Sequence, residues 1–201
     1  TVLEDTRLKN PFGKLKFDEN KLTQYLEQVL QLEAVACKDW LTNKVDRSVT
    51  GRVVQQQCAG LLQLPLNDVA VMATDYQGSG GMATSLGHAP VSGLINAAAG
   101  GRLAVAEALT NLVWAPIEGR LKGVSLSANW MWPARNPGEN ARLYDAVEAV
   151  SNFADNLGIN IPTGKDSLSM TQKYPDKNVM APGTVIISTI GEVPEINKVM
   201  G

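Results

Sequence analysis

The sequence is poor in the residues that most often carry covalent chemistry or bind transition metals. Among 201 residues there are two cysteines, Cys37 and Cys58, and a single histidine, His88. The two cysteines lack the spacing of a metal site, and no local arrangement joins His88 to either of them as a catalytic pair. We therefore expect no cysteine-based catalysis, and we interpret His88 as a loop residue before Pro90.

Strong net charge and long apolar runs are also missing. The formal net charge is −2, so there is no basic stripe that would bind a nucleic-acid backbone, and we expect no nucleic-acid partner. No apolar run is long enough to span a membrane, and there is no charged-then-apolar leader, so we expect no membrane association. Together with the low cysteine content, these features predict a reducing, cytoplasmic setting.

The remaining composition is that of an ordinary globular protein. With 44% hydrophobic and 19% charged residues, the chain is long enough to bury a substantial core. Thr1 is not a natural start and the chain stops just after an apolar strand, so we expect a piece excised from a larger protein. We predict a leading arm and linker helix over 1–45, and a subdomain over 46–201.

Hydrophobic periodicity predicts alternating strands and helices along the chain. The predicted strands cover 66–75, 124–132 and 183–193, and the predicted helices follow Asp18, run from about Leu94 to Trp114, and cover 136–158. The helix over 136–158 is expected to end at Gly158 and to bury Leu143, Val147, Val150, Ala154 and Leu157. Residues 76–90 are rich in glycine and predict a loop, and 171–178 predict a polar hairpin. The fold class expected is α+β, a mixed or antiparallel sheet with helices on one face.

Two polar residues interrupt the apolar helical run RLAVAEALTN (102–111). Glu107 and Asn111 are four residues apart, which places both on one face of a helix. Asp68 lies at the start of the first predicted strand. Three oxygen donors of this kind suit Mg²⁺, so we treat them as a candidate metal site. The alternative is an ion pair of Glu107 with Arg102 and a helix-end role for Asn111.

A second group of polar residues lies in the stretch GKDS (164–167). We interpret it as a glycine-led turn that presents Lys165, Asp166 and Ser167 together, which is equipment for binding phosphate and metal. It lacks the glycine spacing and following helix of a P-loop, and the alternative is a polar turn at a strand end. Asn129, near the exit of the second strand, is a further candidate ligand contact. Backbone N–H groups at Gly78, Gly80 and Gly81 could cradle a phosphate, although a flexible loop is the favoured interpretation.

Several motifs in order resemble one enzyme family. They are DRSVTGRVVQQQ (46–57), LNDVAV (66–71), VAEALTN (105–111), LSANWM (126–131), NPGENARLYDAV (136–147) and IPTGKDSLSM (161–170). In this order and spacing they resemble the large formylglycinamide ribonucleotide amidotransferases, also called phosphoribosylformylglycinamidine synthases. That family catalyses the fourth step of de novo purine synthesis, in which ATP, formylglycinamide ribonucleotide and glutamine give formylglycinamidine ribonucleotide, ADP, phosphate and glutamate.

The resemblance implies that this chain is one part of a multidomain enzyme. The family's synthetase core is an internal duplication, and this chain resembles the first subdomain of the second half, built like the N-terminal domain of aminoimidazole ribonucleotide synthetase. Its implied partners are the first-half synthetase and glutaminase domains of the parent chain. First subdomains of this family pair sheet to sheet in a barrel-like arrangement, so an isolated half is expected to form a homodimer and to be a poor enzyme.

The resemblance also implies roles for individual residues. Positions matching Asp68, Glu107 and Asn111 bind magnesium at an auxiliary ADP site, with Asn67 beside the nucleotide. Lys165, Asp166 and Ser167 are implied to contact phosphate and metal at the site for ATP and formylglycinamide ribonucleotide. In the family mechanism ATP phosphorylates the formamide oxygen and ammonia displaces the phosphate, while the protein positions the reactants and neutralises charge.

Two other functions remain open at this point. A different ATP-dependent enzyme of the same superfamily, such as aminoimidazole ribonucleotide synthetase, selenophosphate synthetase or thiamine monophosphate kinase, would share the sheet and metal logic but should lack the DRSVTG and VAEALTN motifs. The non-enzymatic alternative is a structural module that completes a barrel and holds a permanently bound ADP and magnesium.

Overall fold

A computed structural model describes residues 16–32, 35–36, 51–56, 58, 60–63 and 68–200. The helices in these ranges are α1 (Leu22–Leu30), α2 (Pro90–Ile95), α3 (Ala97–Leu112) and α4 (Glu139–Leu157). The strands are β1 (Val53–Gln55), β2 (Val69–Ala73), β3 (Gly81–His88), β4 (Val124–Met131), β5 (Asn160–Ser167), β6 (Thr171–Lys173), β7 (Asn178–Met180) and β8 (Thr184–Val193). The helix predicted after Asp18 is confirmed as α1, and none of its residues is buried.

Six of these strands form one mixed sheet in the order β1-β2-β3-β8-β4-β5. All neighbours are antiparallel except β4 and β5, which are parallel. The two short strands β6 and β7 pair separately as a hairpin, which confirms the hairpin predicted around 171–178. No described helix is both long enough and apolar enough to cross a membrane.

The helices α3 and α4 pack on one face of this sheet. Buried residues alternate along β4 and β8, and they form one core cluster with residues of α3 and α4: Val69, Val71, Ala83, Ala104, Val105, Ala108, Leu112, Ala115, Val124, Leu126, Ala128, Val150, Ile159, Val185, Ile187 and Val193. Full burial of a Val, Leu or Ile side chain contributes about 1.5–3 kcal/mol, so this face stabilises the fold. The α+β prediction, with a mixed sheet and helices on one face, is confirmed.

The central strand β3 lies where the sequence predicted a loop. Residues 81–88 form a strand between β2 and β8, so the loop prediction is wrong for these residues and right for 76–80, and His88 is the last residue of a strand. The residues of β3 that face the helices are small, namely Gly81, Ala83, Ser85 and Gly87. Small inward residues give no apolar alternation, and for that reason the period-2 pattern of a strand was not visible.

The single helix predicted from about Leu94 to Trp114 is two helices. Asn96 has an extended backbone with φ −149° and its Oδ1 accepts a hydrogen bond from the N–H of Ala99 at 2.8 Å. Asparagine is a preferred residue at a helix N-terminus because its side chain satisfies a backbone N–H there. The chain therefore ends α2 at Ile95 and restarts as α3 at Ala97.

Helix α4 ends as predicted at Gly158, whose φ is +68°. The predicted buried stripe is partly wrong, because Val147 is 42% exposed. The buried residues are Ala146, Ala149, Val150 and Ala154. Three of these four residues are alanines, and α4 lies close to α3. A Cβ on Gly101 of α3 would lie 2.9 Å from Cγ2 of Val150.

The stretch GKDS forms the end of a strand, so the turn predicted for Gly164–Ser167 is wrong. Residues 160–167 form β5, which pairs in parallel with β4 at the edge of the sheet. An edge strand is half exposed and tolerates polar residues and a proline, here Pro162. Those residues give the appearance of a loop in the sequence.

Candidate functional site

The candidate site residues gather at one end of the sheet. At the end of β3, His88 pairs with Ile186 of β8, and Ile186 also pairs with Asn129 of β4. Asn129 in turn pairs with Lys165 of β5. This row crosses four strands, so three strand spacings, or about 14 Å, separate the backbones of His88 and Lys165. Two groups of residues that are far apart in the sequence therefore share one edge of the fold.

Two side chains of α3 bind the backbone of β3 at this end. The Glu107 Oε2 accepts a hydrogen bond from the His88 N–H at 2.6 Å, and the Asn111 Nδ2 donates to the Leu86 carbonyl at 3.0 Å. Strand β2 begins at Val69, opposite Ser85, so these groups of β3 lie beyond the start of β2. The two side chains satisfy backbone groups that would otherwise need another partner. This contact replaces the ion pair with Arg102 that the sequence left open.

The oxygen atoms around this contact fit a hard divalent cation. The Asn111 amide is planar, so its Oδ1 points away from the carbonyl that Nδ2 binds, and Glu107 keeps a second carboxylate oxygen, Oε1. Asp68 is exposed directly before β2, and antiparallel pairing of Val69 with Ser85 puts it beside Leu86. Two carboxylates and an amide are ligands that Mg²⁺ accepts alongside water and phosphate oxygens. Asn67, the predicted nucleotide neighbour, lies outside the described residues.

The chemistry of this donor set differs from that of a transition-metal site. In the part of the chain that the structure describes, no three His, Cys, Asp or Glu side chains cluster as metal ligands. A site of two carboxylates and one amide oxygen is too weakly charged to bind a bare cation tightly, because affinity in such sites rises with the number of charged ligands. The arrangement therefore suits a cation that arrives with phosphate oxygens of its own.

The helix α3 lies so close to β3 that the side chains of Glu107 and Asn111 reach the backbone of the strand. A Cβ on Gly87 would lie 2.1 Å from the carbonyl oxygen of Ala104 and 2.4 Å from the nitrogen of Ala108. The two backbones therefore touch, and only glycine fits between them. Gly87 is not recognisable as a packing residue from the sequence, because its strand has the composition of a loop. The recurrence of small residues at every second position of 81–87 was the available signal.

The second group of polar residues lies along β4 and β5. Paired residues share a face, so Asn129 and Lys165 lie on the face opposite α3 and α4. The Lys165 Nζ donates to the Ser167 Oγ at 3.1 Å, and the buried Oδ1 of Asn129 has no hydrogen-bond partner. Asp166 pairs with Trp130 and alternates to the other face. The expectation that Lys165, Asp166 and Ser167 are presented together is therefore wrong for Asp166.

Two N–H groups of the glycine-rich loop after β2 already have a hydrogen-bond acceptor within the loop. The Asp75 carboxylate accepts hydrogen bonds from the N–H of Gly78 and, at 2.7 Å, from that of Gln77. The hydrogen bond from Gly78, which has the larger effect, and that from Gln77 lower the pKa of Asp75 below its ordinary value of 3.8. The positive charge of Arg52 adds a smaller effect in the same direction. The loop is thus organised around Asp75, and these N–H groups are not open to a phosphate.

This loop predicts a measurable pH dependence. Because the folded state lowers the pKa of Asp75, its contribution to stability is present above the ordinary pKa of 3.8 and is lost as the pH falls through the folded value. We expect Asp75→Asn to flatten the stability profile below about pH 4, measured by urea unfolding at several pH values. Gln77→Ala keeps the backbone donor and serves as the control. An unchanged profile in Asp75→Asn would contradict this assignment.

Comparison with known proteins assigns the chain to a family. The family described as "FGAR-AT PurM_N-like domain" matches residues 37–192, which is most of the chain. Phosphoribosylformylglycinamidine synthase of Homo sapiens is 52% identical over 173 residues, covering 86% of this chain and 13% of the human protein. That of Drosophila melanogaster is 47% identical over 175 residues, covering 87% and 13%. The chain thus spans 13% of the length of these relatives.

Solved structures support the same fold. PurLQS from Thermotoga maritima matches with a TM-score of 0.62 at 19% identity, covering 100% of this chain and 28% of that one. Thermotoga maritima PurL complexed with ADP matches with a TM-score of 0.52 at 22% identity, covering 67% of this chain and 21% of that one. At these identities the likeness concerns the fold alone. With the family match over residues 37–192, it follows that the chain belongs to the FGAR-AT PurM_N-like domain family.

Proposed function

We propose that this chain is the subdomain of a phosphoribosylformylglycinamidine synthase that holds a magnesium-bound adenine nucleotide. The observation that carries the proposal is the pair of contacts from Glu107 and Asn111 to the backbone of β3. These contacts fix two oxygen donors at the start of β2, where Asp68 adds a third. The family match supplies the reaction, and the donor chemistry supplies the choice of magnesium with ATP or ADP.

Each candidate residue has a role in this proposal. Asp68, Glu107 and Asn111 bind Mg²⁺ through oxygen atoms, and Asn67 lies beside the nucleotide. Lys165 and Ser167 donate to phosphate oxygens of ATP or of formylglycinamide ribonucleotide. The Asn129 Oδ1 accepts an N–H or O–H of the same ligand, because a buried acceptor without a partner is costly unless a ligand supplies one. Asp166 faces the other side of the sheet, so its contact with the same ligand has the least structural support of the set.

The chemistry asked of these residues is charge neutralisation and positioning. Phosphoryl transfer to an amide oxygen develops negative charge on the transferred group, and catalysis comes mainly from cations and fixed dipoles that meet that charge. Magnesium, when bound, neutralises phosphate oxygens. Lys165 carries a positive charge on β5, and its backbone lies three strand spacings, or about 14 Å, from that of His88, whose N–H binds Glu107. The two groups therefore contact different ligands or opposite ends of an extended one.

The activity itself belongs to the whole enzyme in this proposal. The parent chain would convert formylglycinamide ribonucleotide, ATP and glutamine-derived ammonia to formylglycinamidine ribonucleotide in the cytoplasm. Its first-half synthetase and glutaminase domains would supply the remaining catalytic groups and the ammonia. We expect the 201-residue chain to show no turnover of ATP in the presence of the ribonucleotide and ammonium chloride. Turnover that depends on the ribonucleotide would contradict this division of labour.

The direct experiment is calorimetric titration of the chain with ADP, with and without Mg²⁺. We expect binding that requires Mg²⁺ and that shows no measurable heat when EDTA is present. A well-folded chain that binds no ADP under either condition would contradict the proposal that this subdomain holds the nucleotide by itself. ADP binding that is equally strong without the metal would contradict the assignment of Asp68, Glu107 and Asn111.

A second candidate function is a structural half-barrel, and the open face of the sheet favours it. On the face opposite α3 and α4, Leu86 of β3 is 56% exposed and Ile190 of β8 is 49% exposed. Met72 of β2 is exposed as well. Exposed apolar side chains on the same face of three neighbouring strands favour a contact surface there. In this view the sheet pairs with the first-half subdomain in the parent, or with a second copy of the isolated chain.

The half-barrel candidate predicts a change in oligomeric state. Ile190→Lys puts a charge in the middle of the open face, and we expect it to shift a dimer to a monomer in sedimentation velocity experiments. Val91→Lys changes an exposed residue of α2 and is the matched control, for which we expect the wild-type distribution. A wild-type chain that stays monomeric at high concentration would contradict pairing between two copies.

A further inference from the structure

Two hydroxyl side chains are buried between β3, β8 and α3. Ser85 is 3% exposed and Thr189 is 2% exposed, and they are the buried polar side chains of the described core. They face each other across the β3–β8 ladder, with 2.6 Å between Oγ and Oγ1. The Ser85 Oγ also donates to the carbonyl of Ala108 in α3 at 2.6 Å. A polar chain thus crosses the interface on which the candidate site depends.

The direction of each hydrogen bond that joins Ser85, Thr189 and Ala108 is fixed. The hydrogen of the Ser85 hydroxyl goes to the Ala108 carbonyl, so the Thr189 hydroxyl is the donor between the two side chains. The Thr189 Oγ1 accepts in turn from the Ser85 N–H at 2.9 Å. Both hydroxyl hydrogens are used and both oxygens accept. A buried network that is fully satisfied in this way specifies one arrangement of its surroundings, because any shift leaves a buried group unpaired.

Apart from this hydroxyl contact, the contacts of Glu107 and Asn111 and the close backbone approach at Gly87, the α3–β3 interface is apolar. The apolar side chains of Ala104, Val105 and Ala108 make non-directional contacts, which do not by themselves fix the position of α3 along β3. A slide of one residue moves a helix by about 1.5 Å and turns its face by about 100°. The Glu107–His88 bond of 2.6 Å and the Asn111–Leu86 bond of 3.0 Å do not survive such a change. Ala108 lies next to Glu107, so a bond to its carbonyl fixes both.

We propose that Ser85 and Thr189 are positioning residues that set the register of α3 on β3 and thereby hold Glu107 and Asn111 at the site. Neither hydroxyl touches the ligands. Their effect on magnesium binding rests on the proposed function, whereas their effect on the Glu107–His88 contact does not. The pair therefore predicts two separate consequences, one for the backbone of β3 and one for the affinity for Mg²⁺ and ADP.

The test compares a double variant with two controls. Ser85→Ala with Thr189→Val removes both hydroxyls and keeps side chains of similar shape, and it leaves the buried Ser85 N–H without its acceptor, which lowers stability. Thr189→Ser keeps the hydroxyl. Val193→Ala makes a cavity at the opposite end of β8, where Val193 is fully buried, and lowers stability without touching the register. The readouts are amide hydrogen exchange of His88 by NMR, thermal unfolding, and calorimetry with Mg²⁺ and ADP.

The expected results separate positioning from stability. In the double variant, exchange of the His88 amide should rise at least tenfold and the affinity for ADP with Mg²⁺ should fall at least tenfold, at a melting temperature comparable to that of Val193→Ala. Val193→Ala should melt earlier and keep both site properties, and Thr189→Ser should behave as wild type. Unchanged His88 exchange in the double variant would overturn the proposal.

Two further outcomes are also decisive. If the wild-type chain binds no ADP, the proposed function fails, and His88 exchange alone still decides whether the hydroxyl pair sets the register. If the double variant does not fold, Thr189→Val measured against Thr189→Ser makes the same comparison. Equal exchange of the His88 amide in those two single variants would show that the pair is merely structural.

Discussion

Glu107→Gln is expected to weaken magnesium-dependent ADP binding by at least about 100-fold, since even residues that only orient metal ligands change affinity by about 10–100-fold. The substitution keeps an oxygen that can accept the hydrogen bond from the His88 N–H, so the fold and the contact with β3 remain. What is lost is the negative charge that Mg²⁺ requires. Calorimetric titration with ADP, at fixed Mg²⁺, measures the effect.

The matched control is Glu148→Gln, which removes the same charge from an exposed position of α4 away from β3. We expect this variant to bind ADP as the wild-type chain does. Asp68→Asn should weaken binding together with Glu107→Gln, and the two losses should be less than additive because both ligands contact one ion. If Glu107→Gln binds magnesium and ADP as tightly as Glu148→Gln, the oxygen cluster at this end of the sheet is not the metal site.

Gly87→Ala is expected to cost at least about 3 kcal/mol of stability, at or beyond the usual range for an overpacked core. The added Cβ would lie 2.1 Å from the carbonyl oxygen of Ala104, and a backbone atom cannot rotate away as a flexible side chain can. The helix α3 must then move off β3, and the contacts of Glu107 and Asn111 are lost with it. Urea unfolding measures the stability, and calorimetry measures the accompanying loss of nucleotide binding.

Gly80→Ala provides the comparison for this prediction. At Gly80 the nearest atom to an added Cβ is the Oγ1 of Thr74 at 3.5 Å, an ordinary contact. We expect Gly80→Ala to change the free energy of unfolding by no more than about 0.5 kcal/mol, as for a typical surface substitution. Equal stability of the two variants would mean that α3 does not pack on β3 at backbone contact distance.

The parts of the fold that the sequence predicted are those with strong periodic signals. Helix α4 and strands β4 and β8 combine apolar periodicity with clear ends, such as Gly158, and they were assigned from these patterns. Strand β3 was missed because its inward positions hold glycine, alanine and serine rather than large apolar residues. That absence is itself a packing requirement, since α3 lies directly on the strand at Gly87. A sequence rule based on hydrophobicity cannot recognise a strand whose inward side chains are small so that a helix can pack against it.

The sequence predicts which residues form the candidate site, but it does not predict their geometry. Helical spacing put Glu107 and Asn111 on one face, and the resemblance joined them to Asp68. The sequence could not predict that both side chains bind the backbone of β3, because that depends on where β2 begins in space. Nor could it predict that Asp166 alternates away from Lys165, because the assignment of a turn concealed the strand period.

The most direct measurement is the position of the metal. Crystals of the chain grown with Mn²⁺ and ADP should give one anomalous peak bounded by carboxylate oxygens of Asp68 and Glu107 and by the Oδ1 of Asn111, at octahedral distances near about 2.1 Å. That result would establish the site at the junction of β2, β3 and α3. Ordered ADP with the anomalous peak beside Lys165 and Ser167 instead, or with no peak at all, would contradict it.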